Sequence, residues 1–439
     1  MLIIALCFLT SCAGKIPPSI VPEETLILPA TVTSSVYTTT TPLHTPIVNT
    51  AISIAQPTDA AIQLTSISPC AIHSLNSADA PSVDLVTTED QRLNALVINQ
   101  GNVSLSSLQM LLEQANALRI LPDGSWLLQR NLIIKKGAQL TIDGKAFPRL
   151  LLKSDSSGFI WIKALGGGLV IDDACISSWD AGLQTVDSKY EDGRSFILAR
   201  DGARMDIHRS DISYLGYMAD ESYGLAWRLE GSSGELFDSR ISYNFYGMYT
   251  YAVSNMHIRG NEVHHNVRYG IDPHTRSNHM LIENNIAHDN GKQGIILAEG
   301  CTDAIIRNNI VYANGIHGIV VYQQSNRAIV EGNQSYDNAS QGINVNDSQD
   351  VIVRNNHVYG NHEDGIGIGQ QARNNIITGN TVLANAHDGI TLYSDASNNT
   401  IQANDVRENG RYGIYVKSPG NQVLDNTVTG NIKGDILEP

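Results

Sequence analysis

A glycine followed by an apolar residue recurs at Gly224, Gly247, Gly270, Gly294, Gly318, Gly342, Gly365, Gly389 and Gly413. The intervals are 23, 23, 24, 24, 24, 23, 24 and 24 residues. A solenoid imposes a period that regular, because each unit buries its apolar face only by stacking on the unit before it. Two asparagine columns keep the same time, one from Asn261 to Asn426 and one from Asn266 to Asn431. Asn tolerates the left-handed conformation of a tight bend, and amides stacked at equal height bond to one another. Short aliphatic runs, such as Ala304 to Ile306 and Val351 to Val353, lie between the columns. Each unit therefore reads as three short strands and three bends, which predicts an all-β right-handed parallel β-helix of 23–24-residue rungs. Helical repeats are excluded: their units are longer, and an Asn pair plus Gly in every unit breaks a helix.

Growth by added rungs frees the 439 residues from the usual domain-count prior. Residues 216–439 carry the regular repeat. Residues 92–215 alternate strand and glycine-turn patterns less regularly, with a short helix expected over Leu108 to Leu118, and read as a cap and irregular first rungs. Residues 13–91 are rich in Thr, Ser and Pro and read as a disordered tether. Residues 1–12 form a short apolar run ending in Leu9-Thr10-Ser11-Cys12. They resemble a bacterial lipoprotein signal, with Cys12 as the lipidated residue and Ala13 consistent with an outer-membrane destination. The run is too short to span a bilayer. Cys70, Cys175 and Cys301 show neither disulfide-framework nor zinc spacing and are expected to be buried or free. The net charge of −15 argues against a nucleic-acid partner and requires any polyanion groove to be locally basic.

Strand side chains alternate, so residues two and four past each column glycine share one outer face. That face carries Tyr249 and Tyr251, then Asp272 and His274, then Ile296 and Ala298, then Val320 and Tyr322, with Tyr393 and Tyr415 further on. Tyrosine rows suit a long carbohydrate, whose faces pack on rings, although Tyr is also simply a good strand former. One rung differs chemically, since Gly270 is followed by Ile271-Asp272-Pro273-His274. Arg268, Arg276 and Lys292 lie close to it in sequence and supply local positive charge, while Tyr269 and His317 precede column glycines beside the same face. His264, His265, His279, His288, His357, His362 and His387 fall near bends and read as solvated turn residues. No His/Asp interval matches a metal-ligand set, and no motif demands a cofactor.

The segment Asn244 to Tyr251, followed by Tyr269-Gly270-Ile271-Asp272-Pro273-His274, resembles the periplasmic mannuronan C5-epimerases of alginate biosynthesis. Those share the Tyr-Gly-x-Asp-Pro-His core with secreted alginate epimerases. Leu121 to Trp126, Lys136 to Ala138, Asp192 to Arg194 and Leu215 to Tyr217 extend the resemblance over roughly residues 118–420. It implies an isomerase on an acidic polysaccharide, alginate or polymannuronate, in the periplasm beside an alginate secretion complex. His274 would be the base, Tyr269 the opposite-face proton donor, and Asp272 a group that orients the base or bonds the substrate carboxyl. Two positions depart from the family. Thr275 stands where an acid usually follows the histidine. The arginine that neutralises the carboxylate is expected near Ala298 or Glu299, where neither residue is basic. Glu299 would instead match the aspartate of the secreted enzymes, acting protonated, or else Arg268, Arg276 or Lys292 would neutralise the carboxylate. A lyase on the same groove and a non-catalytic carbohydrate-binding solenoid are the competing readings.

Overall fold

The computed structural model describes residues 86–439. The signal-like segment with Cys12, most of the tether and Cys70 lie outside the described residues. The described body begins with strand Val86–Asp90, inside the segment read as tether, paired antiparallel with Ala95–Ser104. The helical signal of Leu108 to Leu118 is shorter in the structure. It resolves into a 3₁₀ turn at Ser106–Leu108 and an α-helix at Gln109–Gln114, which buries Leu108 and Leu112. Asn116 then takes a left-handed φ of 51° and ends the helix.

From Asn131 onward, strands pair in parallel with the strand one rung later. Leu132 lies opposite Ile162, Trp161 opposite Phe196, and Ile197 opposite Leu225. The pattern continues to Tyr412–Val416 against Gly434–Leu437. Inside, one aliphatic residue per strand stacks on its counterpart. Ile271, Ile295, Ile319, Ile343, Ile366, Ile390 and Ile414 form one such column, all fully buried. Each of these side chains contributes about 1.5–3 kcal/mol by leaving water.

The bends are held by side-chain ladders. Asn333 shows the unit. Its Oδ1 accepts from Asn309 N at 2.9 Å and Asn309 Nδ2 at 3.0 Å. Its Nδ2 donates to Ile306 O and Asn356 Oδ1, each at 3.0 Å. A third bend column begins with Ser277, Cys301, Ser325 and Ser348, where Cys301 N donates to Ser325 Oγ and Ser325 N to Ser348 Oγ. Three residues further on, a separate asparagine ladder runs from Val351 N to Asn375 and on to Asn399. From Gly247 on, the periodic glycines are required by close approach rather than by φ. A Cβ at Gly294 would lie 2.4 Å from Val311 Cγ1 and 2.7 Å from Asn314 Nδ2.

Cys301 is free and buried in that third column, and burial pushes its thiol up to about 12. Cys175 corrects the expectation of free cysteines, because it is disulfide-bonded.

Candidate active site

Parallel register turns the alternation rule into vertical columns of outward side chains. In one column Arg200, Arg228, Tyr251, His274 and Ala298 succeed one another. In the next, Lys163, Leu198, Ala226, Tyr249 and Asp272 do so. Successive members are about 4.8 Å apart. Strand Ile271–His274 is thus flanked by tyrosines on one side and by small aliphatic residues on the other.

The His274 ring packs beside Tyr249, with centroids 5.5 Å apart. Its Nδ1 lies 2.7 Å from Thr275 Oγ1, whose hydroxyl donates to Glu299 Oε2 at 2.7 Å. A hydroxyl has one proton, so Thr275 can only accept from His274, and the network assigns that proton to Nδ1. Nε2 is then the unprotonated nitrogen, in the form a base requires. The chain spends strain on this arrangement. Thr275 sits at φ 32° and Arg276 at φ 56°, where a β-branched residue is rarely found. Thr275 thus links the histidine to Glu299, which accepts from its hydroxyl.

Asp272 is fully buried, and neither carboxyl oxygen has a hydrogen-bond partner among the described residues. Burial first, and the charge of Glu299 second, hold its carboxyl well above the usual range, which favours the protonated form. No hydrogen bond links it to His274, and the expected orienting role is replaced by that of an uncommitted acid beneath the site. An orphaned buried carboxyl has a stability consequence with a definite sign. Asp272 binds its proton more tightly folded than unfolded, so its contribution is fully present below the unfolded pKa of about 3.9 and is lost as pH rises toward the folded value. Asp272→Asn is expected to remove that loss, giving a variant whose melting temperature exceeds wild type at pH 8 and falls less between pH 4 and pH 8. Equal pH slopes by thermal denaturation would contradict a neutral Asp272.

Tyr269 packs on Ile296, Ala298 and Val320, with the Lys292 ammonium 5.4 Å from its ring centroid and Tyr246 5.3 Å away. Burial pushes the hydroxyls of Tyr246 and Tyr249 well up, so both stay protonated. Tyr249, expected as a displayed sugar platform, is buried against Phe196, Leu198 and Ala226, because the outer face is itself roofed by Tyr223 and Tyr246. Tyr251 is partly exposed under the Arg228 guanidinium, 4.9 Å from its centroid. Tyr322 is partly buried against the same patch as Tyr269. His317 is half-buried, its Nδ1 accepts from Gln341 N at 3.2 Å, and burial lowers its pKa to about 4. Arg268 lies over the Phe245 ring at 5.7 Å, and Arg276 is exposed at the bend after His274.

The arginine absent at Ala298 and Glu299 has counterparts on the N-terminal side. Arg228 is two rungs from His274 in the same column, with Arg200 and Lys163 beyond it. A loop from Gly216 to Tyr223 brings acids to them: Asp220 pairs with Arg228, and Glu221 with Arg200 and with Lys163 at 3.5 Å. The Arg228 side chain is 10% exposed and that of Asp220 77%. The sequence carried the signal for Arg228, since the residue four past Gly224 belongs to the same face as His274.

A family described as a right-handed β-helix region matches residues 163–335 and 296–438. A mannuronan C5-epimerase of Pseudomonas aeruginosa is 29% identical over 216 residues, covering 45% of this chain and 38% of that protein. The mannuronan C5-epimerase AlgG of Azotobacter vinelandii is 28% identical, covering 43% and 38%. The chain thus matches well under half the length of these curated relatives. The solved periplasmic alginate epimerase AlgG superposes with a TM-score of 0.71 at 22% identity, over 78% of this chain and 85% of that one, a likeness of fold.

Proposed function

From the premise that this chain belongs to the right-handed β-helix family, we propose that it is a polyuronate C5-epimerase converting mannuronate to guluronate residues within alginate. The observation that carries this reading is the His274–Thr275–Glu299 chain, which leaves an unprotonated Nε2 on an outer face of the solenoid. Homology to mannuronan C5-epimerases supports the substrate class.

In this reading His274 Nε2 removes the C5 proton from one face of the sugar, and the C–H electron pair moves into the carboxylate. The charge that develops there is met by Arg228 and by the proton of neutral Asp272. Tyr269 then gives its hydroxyl proton to C5 from the other face, and the adjacent Lys292 favours the phenolate that remains. Proton return through solvent resets Tyr269 and His274. Basic residues lie on both sides of the base, with Arg228, Arg200 and Lys163 on one side and Arg268 and Lys292 on the other. They give an acidic polymer a local path across a chain of net charge −15. Arg276 and the partly exposed Tyr251 and Tyr322 extend the contact surface. The reaction needs no cofactor. We place the protein in the periplasm, by likeness to the periplasmic epimerase whose fold it shares, with Cys12 as a lipid anchor at the outer membrane and an alginate secretion complex as partner.

The deciding experiment incubates the protein with polymannuronate in deuterated water. Deuterium at C5 together with guluronate signals supports the epimerase. Unsaturated uronate absorbance would mean elimination by a lyase, and binding without either product would mean a non-catalytic solenoid. Within the epimerase reading, Glu299→Gln lets an amide donate to Thr275 and frees the hydroxyl to donate to His274, which selects the wrong tautomer. The expected outcome is a fall in kcat of at least about 10-fold with KM little changed, measured by steady-state epimerisation. A rise in KM alone would show that Glu299 contacts the polymer instead.

A further inference from the structure

On the third face of the solenoid, one outward column runs His264, His288, Tyr312, Tyr336 and Tyr359. The rings stack nearly parallel. Tyr312, Tyr336 and Tyr359 are 4.7–5.0 Å apart with planes within 7°. Histidine replaces tyrosine in two adjacent rungs only, and in those same rungs the following left-handed bend residues are His265 and Asp289, at φ 54° and 52°. Tyrosine would satisfy the stack equally well, so the stack alone does not account for the histidines.

We infer that His265, His288 and Asp289 form a binding site for a first-row divalent metal ion of the zinc type. One ligand atom from each lies within 4.8 Å of the other two. His288 is held in place as a ligand should be. Its side chain is 12% exposed, and its ring is clamped between His264 at 5.0 Å and Tyr312 at 4.8 Å. Its Nδ1 faces Asp289 Oδ2 at 2.6 Å, while Nε2 faces Glu262 Oε1 at 3.4 Å. That second contact is the outer carboxylate that fixes the tautomer and orientation of a metal-bound imidazole. His264 Nδ1 lies 2.8 Å from His265 Nδ1, which places a further nitrogen at the rim. Metal bonds of about 2.0–2.2 Å need a tighter set. His265 and Asp289 are exposed and can swing inward while His288 stays fixed. Two imidazole nitrogens and one carboxylate suit zinc, nickel or copper, whereas calcium and magnesium take oxygen ligands. Sequence spacing conceals the set, because its members come from successive rungs and meet only through register.

The ion would tie two rungs together at the bend that leads through Asn266 to Tyr269. The test is calorimetric titration of tag-free, chelator-treated protein with zinc chloride and, separately, calcium chloride. The expected result is saturation at one zinc per chain, no calcium binding, and a melting temperature raised by zinc alone. His265→Ala should abolish or greatly weaken the site, and Glu262→Gln should weaken zinc by about 10–100-fold. Both residues lie on the surface side of the sheet, and circular dichroism checks that each variant folds. No zinc uptake by wild type, or uptake unchanged in both variants, overturns the site.

Discussion

His274→Ala is expected to lower polymannuronate epimerisation by roughly 10²–10⁴-fold, the range for loss of a positioned general base. Deuterium incorporation at C5 should fall in parallel, because the same group breaks the C–H bond. Binding of the polymer should change little, since the cations and partly exposed tyrosines remain. The variant should also fold. The side chain is partly exposed, and its loss uncovers only one edge of Tyr249. Comparable losses in exchange and turnover, with retained affinity, are the signature of a base. Full activity in His274→Ala would remove the assignment and turn attention to Tyr269 as the group that takes the proton.

The second large effect is on stability. Asn333→Ala deletes a side chain that accepts two hydrogen bonds from Asn309 and donates to Ile306 O and Asn356 Oδ1. Alanine leaves these partners buried and unanswered, at a cost of about 3–5 kcal/mol given about 1 kcal/mol per bond and more for stranded groups. A lower denaturant midpoint would report the total. Because each rung contacts only its neighbours, the damage is expected to be local. Amide exchange should accelerate between about residues 305 and 360 and remain near wild type around His274. A uniform acceleration along the whole chain would show that the solenoid unfolds as one unit.

The repeat was legible because its cause is local and periodic. Glycine where a Cβ meets the next rung, asparagine at two bends and an apolar residue after each glycine appear at fixed intervals, and the register pairs them as the intervals require. The third bend was hidden, since Ser and Cys share its column and only the hydrogen bonds unite them. The proposed base stands out by its odd rung, yet its tautomer depends on Thr275 and Glu299, which lie 24 residues apart. Burial of Tyr249 depends on packing by Tyr223 and Tyr246, a relation that alternation in one strand cannot express. Arg228 was within reach of the same face rule that selected His274, applied to the rung that begins at Gly224.

The loop bearing Asp220 and Glu221 has a consequence for selectivity between small and large anions. Its carboxylates are tethered, so they face Arg228, Arg200 and Lys163 at an effective concentration in the millimolar range or above. A free monosaccharide acid must displace them one at a time, against a competitor that never diffuses away. A chain of linked uronates presents carboxylates in succession, and each one seated raises the local concentration of the next. Under the proposed function, the loop is therefore expected to act as a threshold on ligand length, passing polymers and turning away short oligomers.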